Sequence, residues 1–187
     1  MDFRTLKKDL PDLVDASYKS QKQAEKDLAK KGYIFDKDLS SMTTKVFLDP
    51  NKEPVIVERG SKRLSDWVDD ALIGIGAGRL GHRHKNTVRL VKKVEAKYHK
   101  PVNVVGHSYG GWLAENSGTK GKILTYNKAV GLGDIGKNFG ENQLDTRSLF
   151  DIISLPSLTQ NVRRTTRFNT NIDPIYAHST QALKNRL

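Results

Sequence analysis

The sequence predicts an α/β fold, a three-layer sandwich in which helices cover both faces of a mostly parallel central sheet. Two observations predict it. Short runs rich in β-branched residues alternate along the chain with segments of helical periodicity, as in α/β proteins. An amphipathic helical pattern over 86–99 also leads, after Pro101, straight into the strand pattern VNVV at 102–105. The 187 residues fit one domain, spanning 1–187, and contain no internal repeat or low-complexity linker.

The first third of the chain predicts helices followed by a hairpin. Apolar residues at helical spacing predict a helix over 3–31 that is interrupted at Pro11 and ends at Gly32. Two β-branched runs, at 44–49 and 54–60, flank the turn-like stretch PNKEP and predict a β-hairpin.

The remaining elements alternate between helix and strand. Residues 64–75 indicate a helix with Ser65 as its N-cap. Residues 86–99 indicate a helix with one apolar stripe, which ends before Pro101. Strands are predicted at 102–105, at 122–130 and at the start of 144–155, which ends in a turn.

The composition excludes several kinds of site and of membrane segment. The chain has no cysteine, which excludes disulfides, thiolate zinc sites and thiol catalysis. No apolar run approaches the roughly 20 residues that cross a bilayer, and the first residues lack the apolar core of a signal peptide. We therefore expect a protein that is made and kept inside a cell, without a transmembrane segment.

The net charge of +11 is unevenly distributed. Residues 79–100 contain eight Lys or Arg residues and one acid, Glu95, and a second basic cluster comprises Arg163, Arg164 and Arg167. Such fields attract polyanions: nucleic acid, an anionic membrane surface or an acidic protein. The alternative is a charged helix face that only keeps the chain soluble.

Residues 106–110 read Gly-His-Ser-Tyr-Gly, a G-x-S-x-G pattern between a predicted strand and a predicted helix. A serine nucleophile must stand clear of the sheet, so its backbone takes a strained turn that only small neighbours permit. The helix after the turn directs backbone N–H groups toward a developing oxyanion. The context therefore predicts that Ser108 is a catalytic nucleophile in an α/β-hydrolase-type fold.

A catalytic serine needs a base, and the base needs an acid to orient it. In α/β-hydrolases these partners follow in the order serine, acid, histidine. His178 is the one histidine after Ser108, so the order nominates it as the base. Four aspartates lie between the two: Asp134, Asp145, Asp151 and Asp173. Asp151 is preferred because it ends a strand-like run, and Asp173 remains an alternative.

Two stretches carry a resemblance to a known family. VIVERGSKRLSDWVDD (55–70) resembles the class 3 lipase pattern of a strand, Arg-Gly-Thr/Ser, an Asp-Trp pair and further acids. VVGHSYGGWLAE (104–115) resembles that family's elbow, with Tyr109 in place of the usual leucine. ILTYNKAVGLGDIGK (123–137) and DTRSLFDIISLPSLTQN (145–161), followed by AHS, resemble small lipase-like proteins of large DNA viruses and their relatives.

The resemblance covers about 45–187, as a lipase-like core, and leaves 1–40 as an N-terminal helical extension. It implies a lipase or esterase that acts on lipid acyl chains, with Ser108, Asp151 and His178 as its triad. It implies an oxyanion hole made by Ser61 and the backbone N–H of Tyr109. It also marks a departure, since Glu58 replaces the usual aromatic residue before Arg-Gly and places a charge beside the oxyanion loop.

Two weaker signals point elsewhere. Residues 76–81 match G-x-G-x-x-G but follow a predicted helix rather than a strand, which argues against a dinucleotide site. His82 and His84 lack an evident third ligand, so a metal site is not expected. We expect no cofactor.

The sequence leaves two classes of function. The first is a serine hydrolase that cleaves carboxylic esters of lipids, with its basic face against an anionic membrane. The second is an inactive hydrolase-fold protein that binds nucleic acid or a virion or capsid partner through that face. The intact order of serine and histidine favours the hydrolase, located in the cytoplasm or associated with a virion.

Overall fold

The computed structural model describes residues 2–61, 79–130, 138–148, 151, 154, 161–162, 165–168 and 178–184. The helices are α1 (Phe3–Tyr18), α2 (Gln21–Ala29), α3 (Arg79–Tyr98), α4 (Tyr109–Glu115) and α5 (Thr180–Lys184). The strands are β1 (Ile34–Phe35), β2 (Thr44–Leu48), β3 (Pro54–Glu58), β4 (Asn103–His107), β5 (Ile123–Tyr126), β6 (Asn138–Phe139), β7 (Gln143–Ser148), β8 (Asn161–Val162) and β9 (Thr165–Phe168). The chain has the predicted α/β architecture.

Seven of these strands form the central sheet, in the order β1-β2-β3-β4-β5-β7-β9. The β1–β2 and β2–β3 pairs are antiparallel, so the predicted hairpin at the start of the sheet is confirmed. Every later pair, from β3–β4 to β7–β9, is parallel. The carboxyl ends of β3, β4, β5 and β7 therefore meet at one edge, where the candidate site lies.

Alternate residues of the central strands feed two separate hydrophobic cores. Val55, Val57 and Val105 face a core that includes the apolar side of α1, from Leu6 to Val14. Ile56 and Val104 face the opposite core, which α3 and α4 complete. Because strand side chains alternate between the two faces of a sheet, this division produces the three predicted layers.

Several element boundaries differ from the predictions. The N-terminal helix continues through Pro11, and the break falls at Lys19, where the backbone is extended and Ser20 caps α2. Burial of the leucines on both sides of Pro11 outweighs the one lost backbone hydrogen bond. The helix predicted from residue 86 begins at Arg79, and the strand predicted to reach residue 130 ends at Tyr126.

Several sequence predictions concern residues outside the described ranges. They are the helix at 64–75, most of the G-x-G-x-x-G stretch, the alternative acids Asp134 and Asp173, and Arg163 and Arg164 of the second basic cluster. Among the helices that the structure describes, none combines the length and the apolar character that spanning a membrane requires.

Candidate active site

Ser108 occupies a strained turn between β4 and α4. Its φ of 54° lies in the left-handed region, which side-chain-bearing residues rarely adopt. The glycines around it are required by close approach. A Cβ on Gly106 would lie 2.0 Å from the carbonyl oxygen of Gly110, and a Cβ on Gly110 would lie 2.3 Å from that of Glu58. The G-x-S-x-G pattern therefore reflects backbone crowding against β3 and within the turn itself.

The turn brings the serine to the histidine that chain order nominated. The His178 Nε2 atom lies 2.9 Å from Ser108 Oγ, and the His178 Nδ1 atom lies 2.9 Å from Asp151 Oδ1. All three side chains are buried, Asp151 completely. Asp151 lies three residues after the end of β7, and His178 lies two residues before the start of α5. The three predicted residues thus form one hydrogen-bonded series, whereas Asp173 lies outside the described residues.

The residues predicted to bind an oxyanion lie next to this series. Gly60 follows β3, and a Cβ placed on it would lie 2.9 Å from Ser108 Cβ. Ser61 comes directly after Gly60 and is half-buried, and Tyr109 directly follows Ser108 as the first residue of α4. Tyr109 is therefore next to the candidate nucleophile in the chain, and Ser61 follows a residue that lies against it in space.

Glu58, the departure from the lipase pattern, is buried at the end of β3. Its carboxylate accepts hydrogen bonds from Thr44 at 2.9 Å and from Thr87 at 2.8 Å. It also lies 3.5 Å from the Arg83 guanidinium, and burial raises its pKa above the ordinary value. The carboxylate is thus held among structural partners on β2 and α3.

Sequence reasoning did not identify the roles of Tyr18 and His107. The Tyr18 hydroxyl lies 2.6 Å from His107 Nδ1 and accepts the Gly60 N–H at 3.2 Å. His107 Nε2 lies 2.9 Å from the carbonyl oxygen of His178. Burial lowers the pKa of His107 to about 3, so its ring is neutral near neutral pH. Nothing local in the sequence marks Tyr18, because its partners follow it by more than 40 residues.

A buried ionic cluster beside α4 was also missed. Lys128 Nζ lies 2.6 Å from Asp145 and also pairs with Glu115. Gln143 donates to both carboxylates, at 2.8 and 2.7 Å. Burial chiefly raises the pKa of Glu115. The cluster joins α4 to β7 and to the segment after β5. In that segment the N–H of Ala129, the residue after Lys128, donates to the carbonyl oxygen of Ser108 at 3.0 Å.

The histidines considered for a metal lie on α3. His84 Nε2 is 2.8 Å from the carbonyl oxygen of Asn116, and His82 is exposed. Within the part of the chain that the structure describes, no group of three or more His, Cys, Asp or Glu residues is arranged to hold a metal ion.

The fold and this site together define an α/β protein with a serine, a histidine and an aspartate aligned at the carboxyl edge of its parallel strands. The family model described as phospholipase-like, the Tle-like phospholipase domain, matches residues 7–137. The chain therefore belongs to this phospholipase-like family, a lipase-like family as the resemblance implied, and at that level it is a lipid hydrolase. A search of curated proteins found no match.

The matched residues include most of the predicted N-terminal extension, 1–40, and they include Ser108. They end before Asp151 and His178. The nomination of those two residues therefore rests on their positions in the sequence and on the geometry of the site. Class 3 membership and the viral relationship stay predictions.

Proposed function

We propose that the protein is a serine hydrolase that cleaves a carboxylic ester of a phospholipid through Ser108, His178 and Asp151. The observation that carries this proposal is the pair of 2.9 Å contacts that His178 makes, one with each partner. These are hydrogen-bond distances for a base that takes a proton from the serine and is oriented by the aspartate.

The reaction would proceed in two halves. Ser108 Oγ attacks the acyl carbonyl carbon while its proton passes to His178 Nε2, and Asp151 stabilises the imidazolium that forms. The C–O bond to the leaving alcohol breaks as His178 returns the proton to that oxygen. A water molecule, deprotonated by the same nitrogen, then attacks the acyl-serine, releases the fatty acid and regenerates the Ser108 hydroxyl.

The oxyanion of each tetrahedral intermediate requires donors fixed before the reaction. We assign this role to the backbone N–H of Tyr109 and to Ser61, as the lipase resemblance implies. The position of Gly60 supports the assignment, because a Cβ built on it would lie 2.9 Å from Ser108 Cβ and Ser61 is the next residue.

The exposed basic face of α3 suits an anionic phospholipid surface. It presents Lys85, Arg89, Lys92, Lys93 and Lys97 to solvent, and the exposed Lys100 follows the helix. Each basic residue near such a surface contributes about 1 kcal/mol of attraction. We favour a membrane over nucleic acid because the family acts on lipid.

The test of the reaction compares wild type with Ser108→Ala on short- and long-chain carboxylic esters and phospholipids, using a serine-reactive phosphonate as a label. We expect turnover and labelling in wild type and neither in Ser108→Ala. Ser117→Ala removes another buried serine hydroxyl, from the segment after α4, and serves as the matched control. Wild type that neither turns over any ester nor takes the label would contradict the proposal, and salt-sensitive DNA binding would then support the non-enzymatic alternative.

The membrane role is tested by sedimentation with vesicles. We expect binding to vesicles that contain phosphatidylglycerol and weaker binding to phosphatidylcholine alone. Lys92→Glu combined with Lys93→Glu should weaken binding to the anionic vesicles, whereas the same charge change at the exposed Lys22 and Lys26 of α2 should matter less. Equal binding to both kinds of vesicle would contradict an electrostatic role for α3.

A further inference from the structure

The peptide group that joins Arg59 to Gly60 is held at both ends by side chains from distant helices. Its N–H donates to the Tyr18 hydroxyl of α1 at 3.2 Å. Its carbonyl oxygen accepts from the Arg83 guanidinium of α3 at 2.7 Å. With both polar atoms fixed, the peptide plane cannot rotate without breaking a hydrogen bond.

The orientation of this peptide plane matters because Gly60 lies against the candidate nucleophile, Ser108. The space around the Gly60 Cα is closed by Ser108 Cβ, the carbonyl oxygen of His107 and the Tyr18 hydroxyl, all within 3.0 Å of a Cβ built there. Ser61 is the next residue. Rotation of the Arg59–Gly60 peptide would therefore move Ser61 relative to Ser108.

Tyr18 also connects this peptide to the candidate base. The carbonyl oxygen of His178 can only accept a hydrogen bond, so His107 Nε2, 2.9 Å away, carries the ring proton. Because the ring is neutral, Nδ1 is an acceptor, and the Tyr18 hydroxyl donates to it at 2.6 Å while accepting the Gly60 N–H. Burial raises the pKa of Tyr18 to about 12 and lowers that of His107 to about 3. Between these two pKa values, the Tyr18 hydroxyl keeps its proton and the His107 ring stays neutral, so both keep their roles as donor and acceptor.

Arg83 also contacts the residue that follows Ser108. Its guanidinium lies 4.9 Å from the centre of the Tyr109 ring, within the range of a cation–π contact, and 3.5 Å from Glu58. The buried carboxylate of Glu58 thus fixes the arginine that in turn reaches the Arg59 carbonyl and the residue after the nucleophile.

We propose that Tyr18 and Arg83 are positioning residues that hold the Arg59–Gly60 peptide, and with it Ser61, in register with Ser108 and His178. This inference rests on the proposed hydrolase function. It gives the N-terminal helix and Glu58 a part in positioning the site.

The experiment measures kcat and KM of Tyr18→Phe, with Tyr98→Phe as the matched control. The Tyr98 hydroxyl donates to Asp36 at 2.6 Å, the same length as the Tyr18–His107 bond, but Tyr98 lies at the far end of α3. We expect Tyr18→Phe to lower kcat 10- to 100-fold, a range typical of a misplaced catalytic group, with KM changed less than about 2-fold. Tyr98→Phe should keep the wild-type kcat.

A second pair of variants tests the other end of the peptide. Arg83→Met should lower kcat, and Arg83→Lys, which keeps a donor, should restore part of it. Should Tyr18→Phe fail to fold, this pair decides the inference alone. Wild-type kcat in the folded Tyr18→Phe and Arg83→Met proteins would overturn it, as would losses confined to KM. Absence of turnover and labelling in wild type would instead overturn the proposed function, so the two failures are distinguishable.

Discussion

Replacing Asp151 by asparagine is expected to remove most of the activity while leaving the fold intact. In the wild-type arrangement, His178 Nδ1–H donates to Asp151 Oδ1, so the lone pair on Nε2 faces Ser108 Oγ. An asparagine amide can donate to Nδ1 instead, which moves the ring proton to Nε2. That nitrogen could then no longer accept the serine proton.

The size of the effect follows from the same geometry. Asp151 is fully buried, so solvent cannot replace the carboxylate that stabilises the imidazolium. Loss of the correct tautomer in a serine–histidine–aspartate arrangement lowers kcat about 10⁴-fold, which corresponds to about 5 kcal/mol of transition-state stabilisation.

The assay is steady-state ester hydrolysis by Asp151→Asn and by Asp173→Asn, with circular dichroism to establish that both are folded. Asp173 is the alternative acid that the sequence left open, and its replacement should leave kcat within about threefold of wild type. Asp151 is not the triad acid if Asp151→Asn retains more than about a tenth of wild-type kcat, or if the Asp173 variant shows the large loss.

Two further predictions concern stability. Gly110→Ala should destabilise the fold by at least about 2 kcal/mol in urea unfolding, because its Cβ meets the Glu58 carbonyl. Gly81→Ala on α3 should instead stabilise it by about 0.5–1 kcal/mol, because no atom of the described residues lies within 4 Å of the added Cβ. Equal effects of the two substitutions would contradict the crowding at Gly110. Burial lowers the pKa of Lys45 from 10.5 to about 8, so the unfolded chain binds the extra proton between those values and stability should rise with pH across that interval. Lys45→Met should lack this rise, and a matching slope in both proteins would assign it to another group.

The elements with strong local signals were predictable from the sequence. The β-branched runs of β2, β3 and β4 specify strands because such residues suit a pleated, half-buried surface. The turn at Ser108 was predictable because Gly106 and Gly110, which flank it, occupy positions where the crowded backbone leaves no room for a Cβ. The same local view placed the helix break at Pro11, since proline removes a hydrogen bond, but it could not weigh the buried leucines that keep α1 continuous.

Order along the chain nominated His178, and the position of Asp151 at the end of a strand-like run favoured it over the other three aspartates. The contacts of the site were decided by the tertiary structure. Tyr18 reaches His107 across 89 positions of sequence, and Arg83 reaches the Arg59 carbonyl across 24. No pattern within a single element encodes these pairs, because they arise only when α1 and α3 pack against opposite faces of one sheet. The sequence by itself thus determined the fold class and nominated a candidate nucleophile and base, whereas packing determined which side chains hold the Arg59–Gly60 peptide beside them.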